Sequence, residues 1–176
     1  MCKLFGEDIL IGATPQMSKP ASQLQTEIKK RQAFDSLPQE AWLNLVRTSS
    51  QLLIHFDRMF ATFGLTSSQY NILRILRGEG QPLPILEVAN RMIVVVPGIT
   101  GLIDRLEQAS LVRRDRSVDD RRVVFVTITQ TALETLSKID RPLRDLHEQV
   151  MSPLNRDDQR QLLQLLEKLR GGSVGS

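Results

Sequence analysis

The sequence is poor in the residues that disulfides and metal sites require. Its 176 residues include one cysteine, Cys2, two histidines and only 5% aromatic residues. A single cysteine excludes an internal disulfide framework, and two histidines with one cysteine are too few for a zinc site of the usual Cys/His kind. We therefore expect a reducing compartment, and neither a metal nor another cofactor.

Long hydrophobic runs and a signal-peptide pattern are also missing. No apolar stretch approaches the length of a bilayer span, and Glu7 and Asp8 interrupt the apolar residues near the start. The sequence therefore predicts a cytoplasmic protein that does not associate with membranes. It also lacks a glycine-rich phosphate loop, a nucleophile elbow and a histidine pair with metal spacing, so we expect no enzymatic activity.

The charge balance is only weakly basic. The chain has 23 lysines and arginines against 20 aspartates and glutamates, which gives a net charge of +3. The composition is 41% hydrophobic and 24% charged, which is ordinary for one globular domain. This charge permits an anionic partner without requiring one, so the placement of the charges must decide.

Hydrophobic residues at three- and four-residue steps predict long helices at both ends of the chain. These helices cover residues 39–63, 130–151 and 155–170, and a shorter helix precedes Pro38. The first 20 residues carry Gly6, Gly12, Pro15 and Pro20 between short apolar pieces. The predicted segments are a flexible N-terminal arm (1–20), N-terminal helices (21–63), a central region (64–130), C-terminal helices (131–170) and a flexible tail (171–176).

The central region contains three short helical patterns followed by two β-branched stretches. The helical patterns are "LTSSQYNILRILRGEG", "ILEVANRM" and "PGITGLIDRLEQAS", with "QPLP" as a turn and "IVVV" as a turn rather than a strand. The β-branched stretches "LVRRDR" and "RVVFVTIT" predict an antiparallel hairpin. The expected fold is mainly α with a small β-hairpin wing, a winged helix-turn-helix flanked by long helices.

Residues 65–132 resemble the DNA-binding region of the MarR family of bacterial transcription regulators. The resemblance lies in the segments quoted above and in "DDRRVVFVTIT", where Asp120 and Arg122 match the D-x-R pattern of the family's wing tip. The flanking long helices match the family's dimerisation helices in order. The resemblance implies a ligand-responsive repressor that binds a palindromic operator as a homodimer, with double-stranded DNA and a small-molecule effector as partners.

The wing tip carries the strongest candidates for DNA contact: Asp120, Arg121 and Arg122. A guanidinium gains from the negative potential of a narrow minor groove. We expect the Asp120 carboxylate to hold the Arg122 guanidinium by charge-assisted hydrogen bonds and so to aim it at the groove. The alternative is a solvated turn whose alternating charges keep a strand edge soluble.

The predicted recognition helix offers few hydrogen-bond donors. Its base-facing candidates are Val95, Val96, Gly98, Thr100 and Gly101. Thr100 can contact a base or a phosphate, and either valine can pack on thymine methyl groups. Family members often carry a polar residue at the position of Gly101 and a Ser or Thr cap near Val95. We therefore expect specificity to depend on wing, shape and backbone contacts.

A second basic group comprises Arg105, Arg113, Arg114 and Arg116. Arg105 has two interpretations, a phosphate contact or a local salt bridge with Asp104 or Glu107. Adjacent residues of a strand point to opposite faces, so at most one of Arg113 and Arg114 is expected to face DNA.

The long helices provide candidates for dimerisation and for ligand binding. The dimerisation candidates are Trp42, Leu45, Leu162, Leu165, Leu166 and Leu169. The family resemblance implies a ligand crevice, for which the candidates are His55, Arg58, Met59, Phe63, Gln69 and Tyr70. His55 as a surface or capping residue and Tyr70 as a core residue are the alternatives. Redox sensing is disfavoured because Cys2 lies in the arm without a nearby resolving thiol.

Two alternative interpretations of the whole chain remain. The long helices could form a helical cap on a monomeric protein instead of a dimer interface, although closed two-fold oligomers are common. The protein could also be an interaction module that kept the winged fold and lost DNA binding, which the scarcity of donors in the recognition helix favours.

Overall fold

The computed structural model describes residues 22–117, 120 and 122–172. The predicted N-terminal arm with Cys2, the wing residue Arg121 and residues 173–176 of the predicted tail lie outside this range. The chain divides into two compact units, residues 1–47 and residues 48–176.

The described part of the first unit contains helix α1 (Gln23–Glu27) and the beginning of helix α2 (Leu37–Ala61). The α1 helix begins after Ser22, whose hydroxyl oxygen accepts a hydrogen bond from the Gln25 backbone amide at 3.3 Å. This capping oxygen satisfies one of the amides that have no partner inside the helix. The short helix predicted before Pro38 is confirmed.

The second unit contains the rest of α2 and five further helices. These are α3 (Ser67–Glu79), α4 (Ile85–Asn90), α5 (Ile99–Gln108), α6 (Gln130–Met151) and α7 (Arg156–Gly171). All of them were predicted from hydrophobic periodicity, and each lies within a few residues of its predicted bounds. Residues 93–96 form no strand, so the prediction of a turn at "IVVV" is also confirmed.

The helix starts differ in how they are capped. The side chains of Thr66, Thr129 and Asn155 accept hydrogen bonds from the first turns of α3, α6 and α7. The α4 and α5 helices begin after Pro84 and Gly98 and have no side-chain cap. Gly98 has a φ of +76°, a left-handed conformation that is strained for residues with a Cβ atom.

Three short strands form an antiparallel sheet in the order β1-β3-β2. They are β1 (Leu83–Pro84), β2 (Val112–Arg116) and β3 (Val124–Ile128). The predicted hairpin of β2 and β3 is confirmed. The prediction that "QPLP" is only a turn was wrong, because Leu83 and Pro84 pair with Val126 and Phe125 of β3.

A single hydrophobic core in the second unit fixes the position of α5. Its fully buried large side chains come from α3, α4, α5, β3 and α6: Ile72, Leu73, Leu76, Val88, Ile103, Leu106, Val126, Leu136 and Ile139. Removing these side chains from water is the main favourable contribution to folding. Because Ile103 and Leu106 of α5 point into this core, Thr100, Gly101 and Arg105 lie on its exposed face.

An ion pair also joins α3 to α6. The Arg77 guanidinium donates two hydrogen bonds to the Asp140 carboxylate, at 2.9 and 2.8 Å. These bonds raise the pKa of Arg77 above its ordinary value. Across residues 22–117, 120 and 122–172, no helix is both long enough and apolar enough to cross a membrane.

Candidate nucleic-acid interface

The loop before α5 and the first turn of that helix form an exposed surface without charge. The Val95 side chain is 91% exposed, whereas Val96 is half-buried. Thr100 and Gly101 are exposed on the first turn of α5, and no atom lies within 4 Å of where a Gly101 Cβ would be. The predicted recognition residues that are accessible to solvent are therefore Val95, Gly98, Thr100 and Gly101.

The wing tip is shaped by Asp120, but not in the way that the sequence suggested. The Asp120 carboxylate accepts a hydrogen bond from the backbone amide of Arg122 at 2.9 Å. Its backbone carbonyl accepts from the Val123 amide, also at 2.9 Å. The expectation that this carboxylate holds the Arg122 guanidinium was wrong, because a short aspartate side chain reaches the backbone two residues ahead and stabilises a turn.

Arg122 itself is exposed at this turn. Within the described chain its guanidinium has no hydrogen bond or ion pair with another residue. Arg116 is likewise exposed, at the end of β2. Both side chains are therefore available for an anionic partner, and the turn fixed by Asp120 positions the backbone from which Arg122 extends.

Arg114 joins β2 to α5 through an internal network. Its Nη1 atom lies 2.5 Å from Asp104 Oδ1, and its Nη2 atom lies 2.5 Å from Glu107 Oε2. The Arg114 backbone amide also donates to Glu107 Oε1 at 3.1 Å. This arrangement differs from the expectation of a DNA contact by Arg114, because two carboxylates already bind its guanidinium. The network fixes the recognition helix against the wing.

The Arg114 hydrogen bonds lower the pKa of the Glu107 carboxyl. A lowered pKa in the folded state means that the pair stabilises the fold at neutral pH and that this stabilisation is lost as the pH falls through that pKa. We therefore expect Glu107→Gln to lower the urea midpoint of unfolding at pH 7. The difference from wild type should shrink as the pH falls through the ordinary range of a glutamate carboxyl and should disappear below the lowered pKa of Glu107.

The exposed Glu148 of α6 supplies a matched control for this experiment, since Glu148→Gln removes the same charge without affecting Arg114. A midpoint difference for Glu107→Gln that stays constant between neutral and acidic pH would contradict the assignment.

The structure also defines the surroundings of Arg105 and Arg113. Asp104 and Glu107 were expected as local partners of Arg105, but both bind Arg114. Arg105 is exposed and forms no ion pair with any described residue, which favours the phosphate-contact interpretation. Arg113 pairs with Asp115 at 3.0 Å on the same strand, an exposed pair that contributes little to stability.

A cavity of about 310 Å³ lies in the second unit, between helices and the α4–α5 loop. It is lined by Leu53, Phe56 and Phe60 of α2, Ser67, Ser68, Tyr70, Asn71 and Arg74 of α3, Met92, Ile93 and Val94 of the loop, and Leu143 and His147 of α6. Its volume is at the lower end of the range that small-molecule sites occupy.

Three residues of the cavity lining form a chain of hydrogen bonds. Arg74 donates to the Asn71 side-chain oxygen through Nε at 3.3 Å and through Nη2 at 2.9 Å. The Asn71 amide donates in turn to the Met92 sulfur at 3.6 Å. Tyr70 stacks on Phe60 with ring centroids 4.2 Å apart, and burial raises the pKa of its hydroxyl, so that the hydroxyl stays a neutral donor at neutral pH.

Of the six residues predicted to bind a ligand, only Tyr70 lines this cavity. The other five, His55, Arg58, Met59, Phe63 and Gln69, lie outside its lining. Sequence reasoning missed Asn71, Leu143 and His147 as lining residues. The first lies one residue beyond Tyr70 on a recognisable helix, whereas the other two come from α6 and had no local signal.

The predicted dimerisation residues are incompletely buried within their own units. In the first unit, Trp42 is 61% exposed and Leu45 is half-buried. In the second unit, α7 has no buried residue although it carries a stripe of leucines. Leu165 and Leu169 of that stripe are exposed, and Leu162 and Leu166 are half-buried.

The arrangement of α3, α4, α5 and the β2–β3 hairpin defines the class of protein. It is a winged helix-turn-helix, in which α5 is the recognition helix and the hairpin is the wing.

Comparisons with known proteins agree with this class. A MarR family model matches residues 65–124. The chain is 31% identical over 116 residues to the HTH-type transcriptional regulator MgrA of Staphylococcus aureus, a match that covers 64% of this chain and 75% of MgrA. A crystal structure of a MarR transcription factor from Planctomyces limnophilus is 39% identical with a TM-score of 0.61, covering 76% of this chain and 98% of that one.

A third likeness is to Bordetella bronchiseptica BpsR, whose DNA binding is regulated by 6-hydroxynicotinic acid. Its TM-score is 0.68 at 21% identity, over 74% of this chain and 98% of that one, and this likeness shows the fold alone. The chain belongs to the MarR family of transcription regulators. This family consists of regulators rather than enzymes, so the expectation that the protein is not an enzyme is confirmed.

Proposed function

We propose that this regulator is a cytoplasmic repressor, that it binds a palindromic operator as a homodimer, and that a small-molecule effector releases it. The observation that supports this proposal best is that the recognition helix α5 and the wing both present solvent-accessible residues on the same winged helix-turn-helix. The loop before α5 and the first turn of that helix are uncharged and can enter the major groove. The Arg122 guanidinium of the wing, which has no partner among the described residues, can enter the minor groove.

The charges on this face support the DNA assignment. Arg105, Arg116 and Arg122 are exposed and form no ion pair with any residue that the structure describes, so they can contact phosphates or a groove. Arg114 of the wing binds Asp104 and Glu107 of α5, and these ion pairs fix the position of the wing relative to the recognition helix. A preorganised surface loses less entropy when DNA binds. We propose residues 64–130 as the DNA-binding region on this basis.

A homodimer is supported by apolar surface in segments 21–63 and 131–170. Trp42 in the first segment is exposed, and among the described residues no leucine of α7 in the second segment is buried. Exposed apolar patches of this kind mark interaction sites, and a two-fold copy is the commonest partner. A two-fold dimer presents two recognition helices, so its preferred site is a palindrome.

A second candidate function is a protein-interaction module that does not bind DNA. Its support is the exposure of Ile93, Val94 and Val95, which would suit an apolar protein partner as well as a base edge. Salt separates the two functions, because DNA affinity falls steeply as counterions compete for the phosphates.

Selection from a pool of random duplexes tests the proposed function directly. The full-length protein is incubated with the pool at low and physiological salt, and bound duplexes are sequenced over several rounds. Enrichment of a palindromic sequence, with affinity that weakens steeply as salt rises, is the expected result. Weak binding without enrichment would reject the operator-binding repressor and favour the interaction module.

The cavity supports an effector with an apolar ring and one anionic group. Phe56, Phe60 and Leu143 provide apolar walls, while Arg74 is the cationic side chain in the lining. A ring buried against these walls and a carboxylate paired with Arg74 would satisfy both parts of the cavity. We propose a small aromatic acid as the effector class.

Arg74→Gln is expected to lower the affinity for 6-hydroxynicotinic acid by about tenfold to a hundredfold, because a hydrogen bond to a charged group contributes about 1.5 to 3 kcal/mol. Isothermal titration of the full-length protein measures this change. The neutral amide of the same compound is the matched ligand control and should bind both proteins equally. Arg141→Gln, at an exposed position of α6, is the matched protein control. An equal loss for acid and amide would contradict a charge-specific role of Arg74.

A further inference from the structure

We propose that Val95 is a specificity-determining residue that recognises 5-methyl groups in the major groove, so that 5-methylcytosine can replace thymine at the contacted positions. This inference rests on the proposed DNA-binding function. It extends that function by naming the chemical group that the head of α5 recognises.

The first supporting observation is an uncharged stretch at the head of the recognition helix. Residues 92–103 contain no charged side chain, and Thr100 is the one side chain among them with an N–H or O–H donor. Bases are normally read by arginine, asparagine, glutamine or acidic side chains that match donors and acceptors on the base edges. This segment lacks such residues, so its side chains can recognise an apolar group much better than a pattern of donors and acceptors.

The second observation is the position of Val95 within this stretch. Met92, Ile93 and Val94 line the cavity, and Val96 is half-buried. Val95 does not line the cavity, and at 91% it has the highest exposure among the exposed large hydrophobic residues of the described chain. It lies three residues before Gly98, at the end of the recognition helix that enters the major groove.

The third observation is the open space on the first turn of α5. Gly101 has no side chain, and nothing lies within 4 Å of the position that a Cβ atom would take. The backbone of the first turn of α5 can therefore approach the base edges closely. When this turn approaches the bases, the exposed valine that precedes the helix can meet the one apolar feature that the major groove displays, the C5-methyl group of thymine.

A protein partner is the other possible occupant of this apolar surface. The surface is continuous with the exposed face of α5 that carries Thr100 and Arg105, and the same winged module presents the exposed arginines Arg116 and Arg122. DNA is a polyanion that displays thymine methyl groups, so cationic side chains near an apolar surface are complementary to it. This combination favours DNA, and the experiment below decides between the two occupants.

The test uses the duplex enriched by selection with the full-length protein. Thymines are replaced by deoxyuracil one position at a time, which removes the methyl group and leaves every donor and acceptor in place. We expect an affinity loss of about fourfold at each contacted thymine, the effect of exposing one buried methyl group. Where cytosine replaces such a thymine, its 5-methylation should recover part of the affinity, whereas unmodified cytosine should not.

Protein variants identify the residue that makes the contact. Val95→Thr keeps the shape of the side chain but places a hydroxyl in the contact, and it should bind thymine and deoxyuracil duplexes with nearly equal affinity. Leu86→Thr, at another exposed apolar position in α4, is the matched control and should keep the wild-type preference for thymine. Because Val95 is almost fully exposed, its replacement should leave the urea midpoint unchanged, so a folding defect will not imitate the effect.

The outcomes separate this inference from the proposed function. If a palindrome is enriched but deoxyuracil has no effect anywhere in it, the inference is wrong and the proposed function stands. A thymine preference that survives in Val95→Thr would also overturn the assignment to Val95. If no duplex is enriched, the proposed function and this inference both fail, and the apolar surface is then better explained by a protein partner.

Discussion

Arg122→Ala is expected to lower the affinity for the selected duplex by about tenfold to a hundredfold. Its guanidinium is exposed at the wing tip and has no partner among the described side chains, so all of its charge is available to DNA. Loss of one cation from each protomer should also reduce the slope of log affinity against log salt by about one for each contact. Fluorescence anisotropy at several salt concentrations measures both quantities.

Arg141→Ala is the matched control for this charge change. Arg141 lies on α6 with its side chain 89% exposed, and its partner Asp145 is 3.9 Å away on the same helix. Its replacement removes the same charge away from the wing and should leave affinity and salt slope nearly unchanged. If both variants lose affinity equally, Arg122 contributes only to the overall field of the protein and not to a groove contact.

Ile103→Ala is expected to lower the free energy of unfolding by about 2 to 5 kcal/mol. Ile103 is fully buried and anchors α5 in the core, so its truncation removes apolar contacts and leaves a cavity that the neighbouring helices cannot fill completely. Urea unfolding followed by circular dichroism measures the change. Protein concentration must be the same for both variants, because the proposed dimerisation would add to the apparent stability.

Leu86→Ala supplies the comparison for this stability measurement. Leu86 is a large apolar residue of α4 that is 71% exposed, so truncation should change the free energy of unfolding by less than about 0.5 kcal/mol. A loss for Ile103→Ala that is no larger than that for Leu86→Ala would show that the recognition helix is not anchored by this residue.

The helices were predictable because their signals are local. The long apolar stripes of α2 and α6 repeat at helical spacing over more than five turns, and the cap at Thr66 is followed by Gln69 at the expected distance. The wing was predictable for the same reason, since β2 and β3 are neighbours in the chain and are rich in β-branched residues. In each case the residues that interact are close in sequence.

The features that were not predicted depend on residues far apart in the sequence, or on which of several charged groups pair with each other. The β1 strand has two residues and owes its existence to pairing with β3 some 40 positions later, so no periodic pattern marks it. Asp104 and Glu107 were candidate partners of the nearby Arg105, but the packing of β2 against α5 places both carboxylates on Arg114. The lining of the cavity likewise combines α3 with Leu143 and His147 of α6.

The contrast among helix caps has a consequence for the way the protein meets DNA. The supporting helices α3, α6 and α7 begin with side-chain caps, whereas α4 and α5 of the helix-turn-helix begin without them. No side chain accepts a hydrogen bond from the first amides of α5, although the Gly101 amide donates to the Gly98 carbonyl at 3.0 Å. We therefore expect the Ile99 and Thr100 amides to donate to water, and this end of the helix to open at a lower local free energy than the capped starts. A phosphate at this position would accept those hydrogen bonds, so that the operator itself completes the recognition helix and makes its first turn rigid at the moment of binding.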